Sequence, residues 1–238
     1  MRLLLSETGS PPPGAELDRE ALRALYACPS RPWLRVNFVS TLDGAATGGD
    51  GFSGSINTDA DFVVFQLLRE LADVVVVGAG TVRHEGYVPL RDEDPAAPPL
   101  AVVSHTARLP EKLRASDPGA VLLVTRGGAD PAVLDDAREA LGEQHVVLAG
   151  DERVDLVAAR KALEDRGMHQ ILSEGGPTLL GTMLSAGVVD ELDLTWSPTV
   201  VGGDHTRIVA GPPVDLALEP VALVEQGGSV MGRWRVSR

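Results

Sequence analysis

The chain has 238 residues, an apolar fraction of 44% and a formal net charge of −13. Because such an acidic chain repels nucleic-acid backbones and anionic membranes, we expect neither as a partner. The single cysteine, Cys28, excludes a disulfide framework and a paired-cysteine zinc site and fits a cytoplasmic protein, and the apolar N-terminal stretch is too short for a signal peptide or a membrane span.

Strand-like and helical patterns alternate along most of the chain. Runs such as "DVVVVG" are apolar on both faces, which is typical of strands covered on both sides in a parallel sheet. The predicted strands are 2–6, 33–39, 73–78, 99–104, 120–125, 144–149 and 169–173. The predicted helices are 17–28, 58–68, 131–141 and 154–166.

The start of the second predicted helix carries a variant of the capping box. Thr58 precedes Asp61 by three residues, so its hydroxyl can accept the Asp61 backbone N–H. Phe62, Phe65 and Leu68 then recur at helical spacing. This pattern predicts that these three side chains form the buried face of the helix.

The C-terminal part of the chain has a different pattern. Residues 190–198 alternate in polarity, and residues 217–236 predict two strands joined by Gly227-Gly228, a pair that suits a hairpin turn. We therefore predict an α/β fold with a mainly parallel sheet, helices on both faces and an antiparallel C-terminal hairpin. The prediction is a single domain over residues 1–238, in which residues 1–32 form an N-terminal extension.

The stretch "ILSEGGPTLLGTML", residues 171–184, passes from a strand through two glycines into a helix that opens on Pro177. Because Gly175 and Gly176 have no Cβ atoms, phosphates could approach the first N–H groups of this helix, which favour anions. A plain tight turn between strand and helix is the alternative interpretation.

Other glycine-rich segments and reactive side chains give weaker signals. The segment "VVVVGAGTVRHEG" fails as a dinucleotide fingerprint, because Arg83 stands where the third glycine is needed, and this weakens a Rossmann dehydrogenase interpretation. The long loop within residues 37–55 follows a strand and could close over a ligand. The five histidines form no metal-binding motif and no serine lies in a GxSxG elbow, so we expect no metal site.

Taken together, "VSTLDGAAT", "QLLRELADVVVVGAGTVRHEG", "LSEGGPTLL" and "AGVVDELDLTWSPTVVGG" resemble the reductase domain of bacterial riboflavin biosynthesis enzymes. The resemblance covers about residues 33–236, which form the family-like core of the predicted domain. The resemblance implies a dihydrofolate reductase-like three-layer sandwich, usually dimeric, that uses NADPH. It also implies reduction of the ribosyl group of a substrate of the 5-amino-6-(phosphoribosylamino)uracil type to ribityl.

The resemblance also assigns roles to individual residues, although it leaves the proton donor and any catalytic residue unknown. The implied cofactor contacts are Val39, Ser55, Thr81, Glu85, Ser104, Gly176, Pro177, Thr178, Leu179, Leu180, Gly181 and Thr182. The implied substrate contacts are Ser53, Arg69, Arg91 and Glu174, together with Asp43 in the first loop. Of these, Arg69 and Arg91 would hold a sugar phosphate, and a cofactor 2′-phosphate would lie near Ser104, His105 and Arg108.

One departure from the family pattern follows Thr81. The family usually carries two aspartates and a proline there, whereas this chain has "HEGYVP", with Glu85 in place of an aspartate and Tyr87 as a new residue near the substrate. The departure leaves two alternatives open. One is a reductase of the same fold acting on another pterin or pyrimidine, including dihydrofolate, and the other is a non-catalytic NADP-binding protein.

Overall fold

The computed structural model describes residues 1–237, so residue 238, the last of the predicted domain, lies outside the described residues. Within residues 1–237 there are ten strands and seven α-helices. The strands are β1 (Arg2–Ser6), β2 (Trp33–Thr41), β3 (Val74–Gly78), β4 (Leu100–Val103), β5 (Val121–Thr125), β6 (Val146–Leu148), β7 (Gln170–Ser173), β8 (Glu191–Ser197), β9 (Leu218–Gln226) and β10 (Ser229–Val236). The helices are α1 (Arg19–Leu25), α2 (Asp59–Glu70), α3 (Ala79–Glu85), α4 (Leu90–Glu93), α5 (Pro131–Leu141), α6 (Leu156–Glu164) and α7 (Pro177–Ser185).

All of these strands form one sheet in the order β1-β9-β10-β8-β2-β7-β3-β4-β5-β6. Every pair from β8 to β6 is parallel, and the pairs at the other end are antiparallel. The β9–β10 turn is Gly227-Gly228, and both residues have positive φ, as a tight hairpin turn requires. The predicted α/β fold, with its mainly parallel sheet and C-terminal hairpin, is confirmed.

The helices cover both faces of the sheet and give three layers. Along β3 the side chains alternate, so that Val75 and Val77 pack with α2, α3 and α5 while Val74 and Val76 pack with α6 and α7. This explains the unbroken apolar run of β3, because both of its faces are buried in separate cores.

The sequence-based prediction differs from the structure at several element limits and on one helix face. The helices predicted at 17–28 and 154–166 are the shorter α1 (Arg19–Leu25) and α6 (Leu156–Glu164). Glu143–His145 form a 3-10 turn, so the strand predicted at 144–149 is only the three residues of β6. In α2 the Thr58 hydroxyl accepts the Asp61 N–H as predicted, but Phe62 is 51% exposed. The predicted stripe is therefore wrong at Phe62: the side chains that α2 buries include Ala60, Asp61, Val64, Leu67 and Leu68.

The N-terminal segment is part of this architecture. Strand β1 pairs antiparallel with β9, and Leu3, Leu22 and Tyr26 are buried in the core that contains α2. The segment therefore covers what would otherwise be the free edge of the C-terminal hairpin.

The arrangement around β2 positions the functional site. Strand β2 lies between β7 and β8 and is parallel to both. The chain from β2 to β3 crosses β7 on the face that carries α2, and the chain from β7 to β8 crosses β2 on the opposite face, which carries α7. A crevice opens where connections leave neighbouring parallel strands in opposite directions, at the carboxyl ends of the strands.

Candidate active site

A cavity of about 880 Å³ lies at this crevice. It is bordered by the ends of β2, β3 and β7, by α2 and α3, and by residues 204–206. The loop between β2 and α2, residues 42–58 and called the first loop, also borders it. The predicted site residues that line it are Val39, Ser53, Arg69, Thr81, Glu85, Glu174, Gly176, Pro177, Thr178 and Leu179. The other predicted residues, Asp43, Ser55, Arg91, Ser104, Leu180, Gly181 and Thr182, are not among its lining residues.

Gly176, the second glycine of the 171–184 segment, lines the cavity. Gly176 caps α7 and Pro177 is its first residue, so the free N–H groups of the first helical turn, including those of Thr178 and Leu179, lie at the cavity wall. A Cβ atom on Gly176 would overlap the Thr81 hydroxyl. Glycine is therefore required for α3 and the start of α7 to approach this closely.

These features fit a dinucleotide. The start of α7 presents N–H groups to an anion, the Thr81 hydroxyl lies beside them, and the backbone between them is bare. The later residues of the predicted cofactor stretch have other contacts: Leu180 is fully buried, a Cβ on Gly181 would overlap the Ala210 carbonyl, and the Thr182 hydroxyl donates to the Thr178 carbonyl.

His84 and Glu85, two residues of the segment that differs from the family pattern, hold the first loop against α3. Glu85 Oε1 accepts the backbone N–H of Ser53 at 3.3 Å. The His84 ring stacks on Phe52 with 4.8 Å between ring centroids, and its Nε2 lies 3.0 Å from the Gly51 carbonyl oxygen. These contacts close one wall of the cavity.

Asp43 and Ser55 stabilise the same loop from within. The Asp43 carboxylate accepts a hydrogen bond from the Thr41 hydroxyl and, at 2.7 Å, from the Gly202 N–H, and these bonds lower the pKa of Asp43. The Ser55 hydroxyl donates to Asp50 at 2.8 Å. Both side chains therefore connect loop segments to each other.

A buried ion pair forms another part of the cavity wall, next to the glycine pair in the chain. Arg69 on α2 donates from Nε to Glu174 Oε1 at 2.7 Å and from Nη2 to Oε2 at 2.9 Å, and its guanidinium lies 4.2 Å from the centroid of the Phe65 ring. The Glu174 side chain is 2% exposed. Such a bidentate pair fixes both groups in one geometry.

Tyr87 completes this cluster. Its hydroxyl donates to Glu174 Oε2 at 2.8 Å, so Glu174 accepts three hydrogen bonds from side chains. Burial and the neighbouring Glu174 charge raise the pKa of Tyr87 well above its ordinary value, and the hydroxyl remains a donor. The sequence identifies Tyr87 as unusual but gives no sign that it contacts Glu174, a residue 87 positions away.

Two predicted residues lie apart from the cavity with their side chains bonded elsewhere. Arg91 donates from Nε to the Ala97 carbonyl at 3.1 Å and from Nη1 to the Gly119 carbonyl at 3.5 Å. The Ser104 hydroxyl, at the end of β4, donates to the Arg108 carbonyl at 3.3 Å.

Asp61, whose backbone N–H takes part in the cap of α2, also lines the cavity with its side chain. Asp61 is 3% exposed, and its Oδ1 atom has no hydrogen-bond partner among the described residues. Burial raises the pKa of Asp61 to about 6, against the opposing effect of a hydrogen bond with Thr195. Since the pKa in the fold exceeds the ordinary 3.8, ionisation of Asp61 lowers stability as the pH rises from about 4 to about 6.

The described residues contain no cluster of three or more His, Cys, Asp or Glu side chains that could hold a metal ion. Within the same part of the chain, no helix has the length and apolar character needed to cross a membrane.

Comparisons with known proteins agree with this geometry. The family model described as the RibD C-terminal domain matches residues 32–231. The chain is 31% identical over 198 residues to the 2,5-diamino-6-ribosylamino-4(3H)-pyrimidinone 5′-phosphate reductase of Methanothermobacter thermautotrophicus, covering 81% of this chain and 90% of the relative. It is 28% identical over 218 residues to the protein of the same name from Archaeoglobus fulgidus, covering 86% and 99%. Among solved structures, a pyrimidine reductase-like protein from Corynebacterium diphtheriae superposes with a TM-score of 0.74 at 25% identity, covering 87% of this chain and 92% of the other.

Proposed function

Because this chain belongs to the RibD C-terminal domain family, we propose that it reduces a ribosylamino-pyrimidine 5′-phosphate to its ribityl form in riboflavin biosynthesis, with NADPH as the hydride donor. The observation that carries the proposal is the combination, within one cavity, of the bare backbone at Gly176 and the buried carboxylate of Glu174. The first suits a dinucleotide and the second suits a polar ring, and 880 Å³ is large enough for parts of both.

The cofactor is assigned to the α7 end of the cavity. The first N–H groups of α7 and the Thr81 hydroxyl would bind its pyrophosphate, where the positive end of the helix dipole favours an anion. Val39 of β2 also lines the cavity. When bound, the cofactor supplies a hydride.

The substrate is assigned to the end that holds Arg69, Tyr87 and Glu174. Glu174 Oε1 accepts only one of the three side-chain hydrogen bonds, so it retains acceptor capacity for a ring amino group. The predicted contact of Arg91 with a sugar phosphate stays a prediction, and it requires that Arg91 leave the carbonyls of Ala97 and Gly119.

The chemistry demands positioning more than side-chain reactivity. Ring opening of the ribosylamine gives a C=N bond. A hydride forms the new C–H bond at the sugar carbon, the π electrons move to nitrogen, and a proton completes the amine. The tasks of this chain are to hold the hydride-donating carbon of the nicotinamide close to the sugar carbon of the C=N bond and to exclude water. Glu85 and His84 contribute by holding the first loop closed.

The direct test is oxidation of NADPH followed spectrophotometrically with three substrates in parallel. These are 2,5-diamino-6-ribosylamino-4(3H)-pyrimidinone 5′-phosphate, its dephosphorylated form and dihydrofolate. Turnover of the pyrimidines, with a ribityl product, supports the proposal. Turnover of dihydrofolate alone would favour another reductase, and cofactor binding without turnover of any substrate would favour a non-catalytic protein.

We expect NADPH to bind more tightly than NADH. The resemblance implies that a 2′-phosphate lies near Ser104, His105 and Arg108, which follow β4, and the Arg108 charge would attract it. Fluorescence titration of both cofactors measures the preference. Equal dissociation constants would remove the NADP assignment and leave a nicotinamide cofactor without a defined phosphate site.

We also propose that the protein is a homodimer, as expected from the family. The exposed apolar side chains Phe62 and Val63 on α2 are consistent with a contact surface. Light scattering at micromolar concentration should give about twice the chain mass of 25.0 kDa. A mass near that of one chain would contradict the proposal.

A further inference from the structure

Asp61 is the feature of the cavity that the proposed chemistry leaves unexplained. It is the third residue of α2, and its neighbours Ala60 and Val64 are buried in the core. No Lys, Arg or His side chain within residues 1–237 forms an ion pair with it, and its one side-chain partner is Thr195 on β8. A carboxyl group with a free, buried oxygen and no opposite charge is costly to the fold.

Asp61 and Glu174, two of the carboxyl groups that line the cavity, differ in the hydrogen bonds that their oxygens accept. Glu174 accepts three hydrogen bonds and is neutralised by Arg69. Asp61 has an oxygen without any partner, and Asn37 and Phe65 stand with it in the cavity lining. A polar ring placed beside these two groups would therefore find a buried acceptor without a partner at Asp61, and the binding free energy gained there would offset the cost of its burial.

Building on the proposed function, we propose that Asp61 accepts hydrogen bonds from the 2-amino side of the pyrimidinone ring and so selects a 2-aminopyrimidinone over the corresponding uracil. The 2-amino group and an adjacent ring N–H present two donors to a carboxylate. A uracil carries a carbonyl oxygen at the same position, and an acceptor facing the carboxylate is repelled. Asp61 is then a specificity-determining residue of the site.

The expected effect is large enough to measure. A hydrogen bond to a charged acceptor contributes about tenfold to a hundredfold in affinity, and a mismatch that leaves the carboxylate unpaired loses that factor. We therefore expect kcat/KM for 2,5-diamino-6-ribosylamino-4(3H)-pyrimidinone 5′-phosphate to exceed that for 5-amino-6-(phosphoribosylamino)uracil by roughly this factor.

The variant Asp61→Asn tests the assignment because it keeps the size of the side chain while removing the charge. Its amide can donate to a 2-carbonyl group, so the ratio of the two kcat/KM values should fall to about one or below. Asp59→Asn is the matched control, since Asp59 is an exposed carboxylate two residues away in the same helical turn. Its ratio should equal that of the unmodified protein.

The outcomes separate this inference from the function on which it rests. If the unmodified protein reduces both rings with equal kcat/KM, or if Asp61→Asn retains the original preference, the role of Asp61 is overturned while the reductase function stands. If Asp61→Asn does not fold, the preference of the unmodified protein for the 2-amino ring decides the matter. Reduction of neither ring would overturn the proposed function and this inference together.

Discussion

Replacing Gly176 by valine is expected to weaken NADPH binding about a hundredfold or more. Any Cβ atom at this position overlaps the Thr81 hydroxyl, and the branched side chain would also fill the space in front of the α7 N–H groups. Loss of two charge-assisted hydrogen bonds to a phosphate, at about 1.5–3 kcal/mol each, accounts for this factor. Fluorescence titration of NADPH measures it.

The control for this substitution is Gly49→Val in the first loop. Gly49 is exposed, and an added Cβ would meet only the end of the Val201 side chain, at 4.0 Å. This variant should bind NADPH normally. If Gly176→Val remains folded by circular dichroism and also binds normally, the segment around Gly176 is a plain turn between strand and helix.

The second large effect is expected from Arg69→Ala. Removing the guanidinium leaves the Glu174 carboxylate, whose side chain is 2% exposed, without its counter-charge. Breaking a buried ion pair in this way lowers the free energy of unfolding by about 3–5 kcal/mol. Reduction should also fall by roughly a hundredfold or more in kcat/KM, because the carboxylate loses its fixed position. Urea denaturation and steady-state kinetics measure the two losses separately.

Two further variants test whether the unpaired charge of Glu174 causes the loss of stability in Arg69→Ala. Arg69→Ala combined with Glu174→Gln should regain most of the stability, since no unpaired charge is buried, but it should not regain activity. Arg23→Ala removes a partner of Glu70 in an exposed pair and should change stability by about 1 kcal/mol or less. Equal stability of Arg69→Ala and Arg23→Ala would contradict the importance of burial.

The Arg69→Ala variant also tests the prediction that Arg69 holds a sugar phosphate. Because its Nε and Nη2 atoms donate to Glu174, we expect Arg69→Ala to lose the same factor on phosphorylated and dephosphorylated substrates. A loss confined to the phosphorylated substrate would restore the sequence-based prediction.

Much of the fold follows from local patterns in the sequence. The two-sided apolar run of β3, the Thr58 cap of α2 and the Gly227-Gly228 turn are each set by a few consecutive residues, because burial on both faces, capping and positive φ are properties of short segments. The combination of motifs also predicts the family, which the family model confirms. Of the residues predicted to form the site, ten line one cavity, although their contacts with cofactor and substrate stay predictions.

Tertiary structure alone decides which polar side chains of the site have hydrogen-bond partners within the protein. Arg69 and Glu174 are 105 positions apart, so their pairing depends on α2 crossing the sheet beside β7, which no local pattern encodes. The helical period of α2 is visible in the sequence, but its rotation is not: packing against the sheet exposes Phe62 and buries Asp61. The sequence therefore determines which chemical groups are present in this protein, whereas long-range packing determines that Glu174 accepts three side-chain hydrogen bonds while Asp61 retains an oxygen without a partner at the cavity.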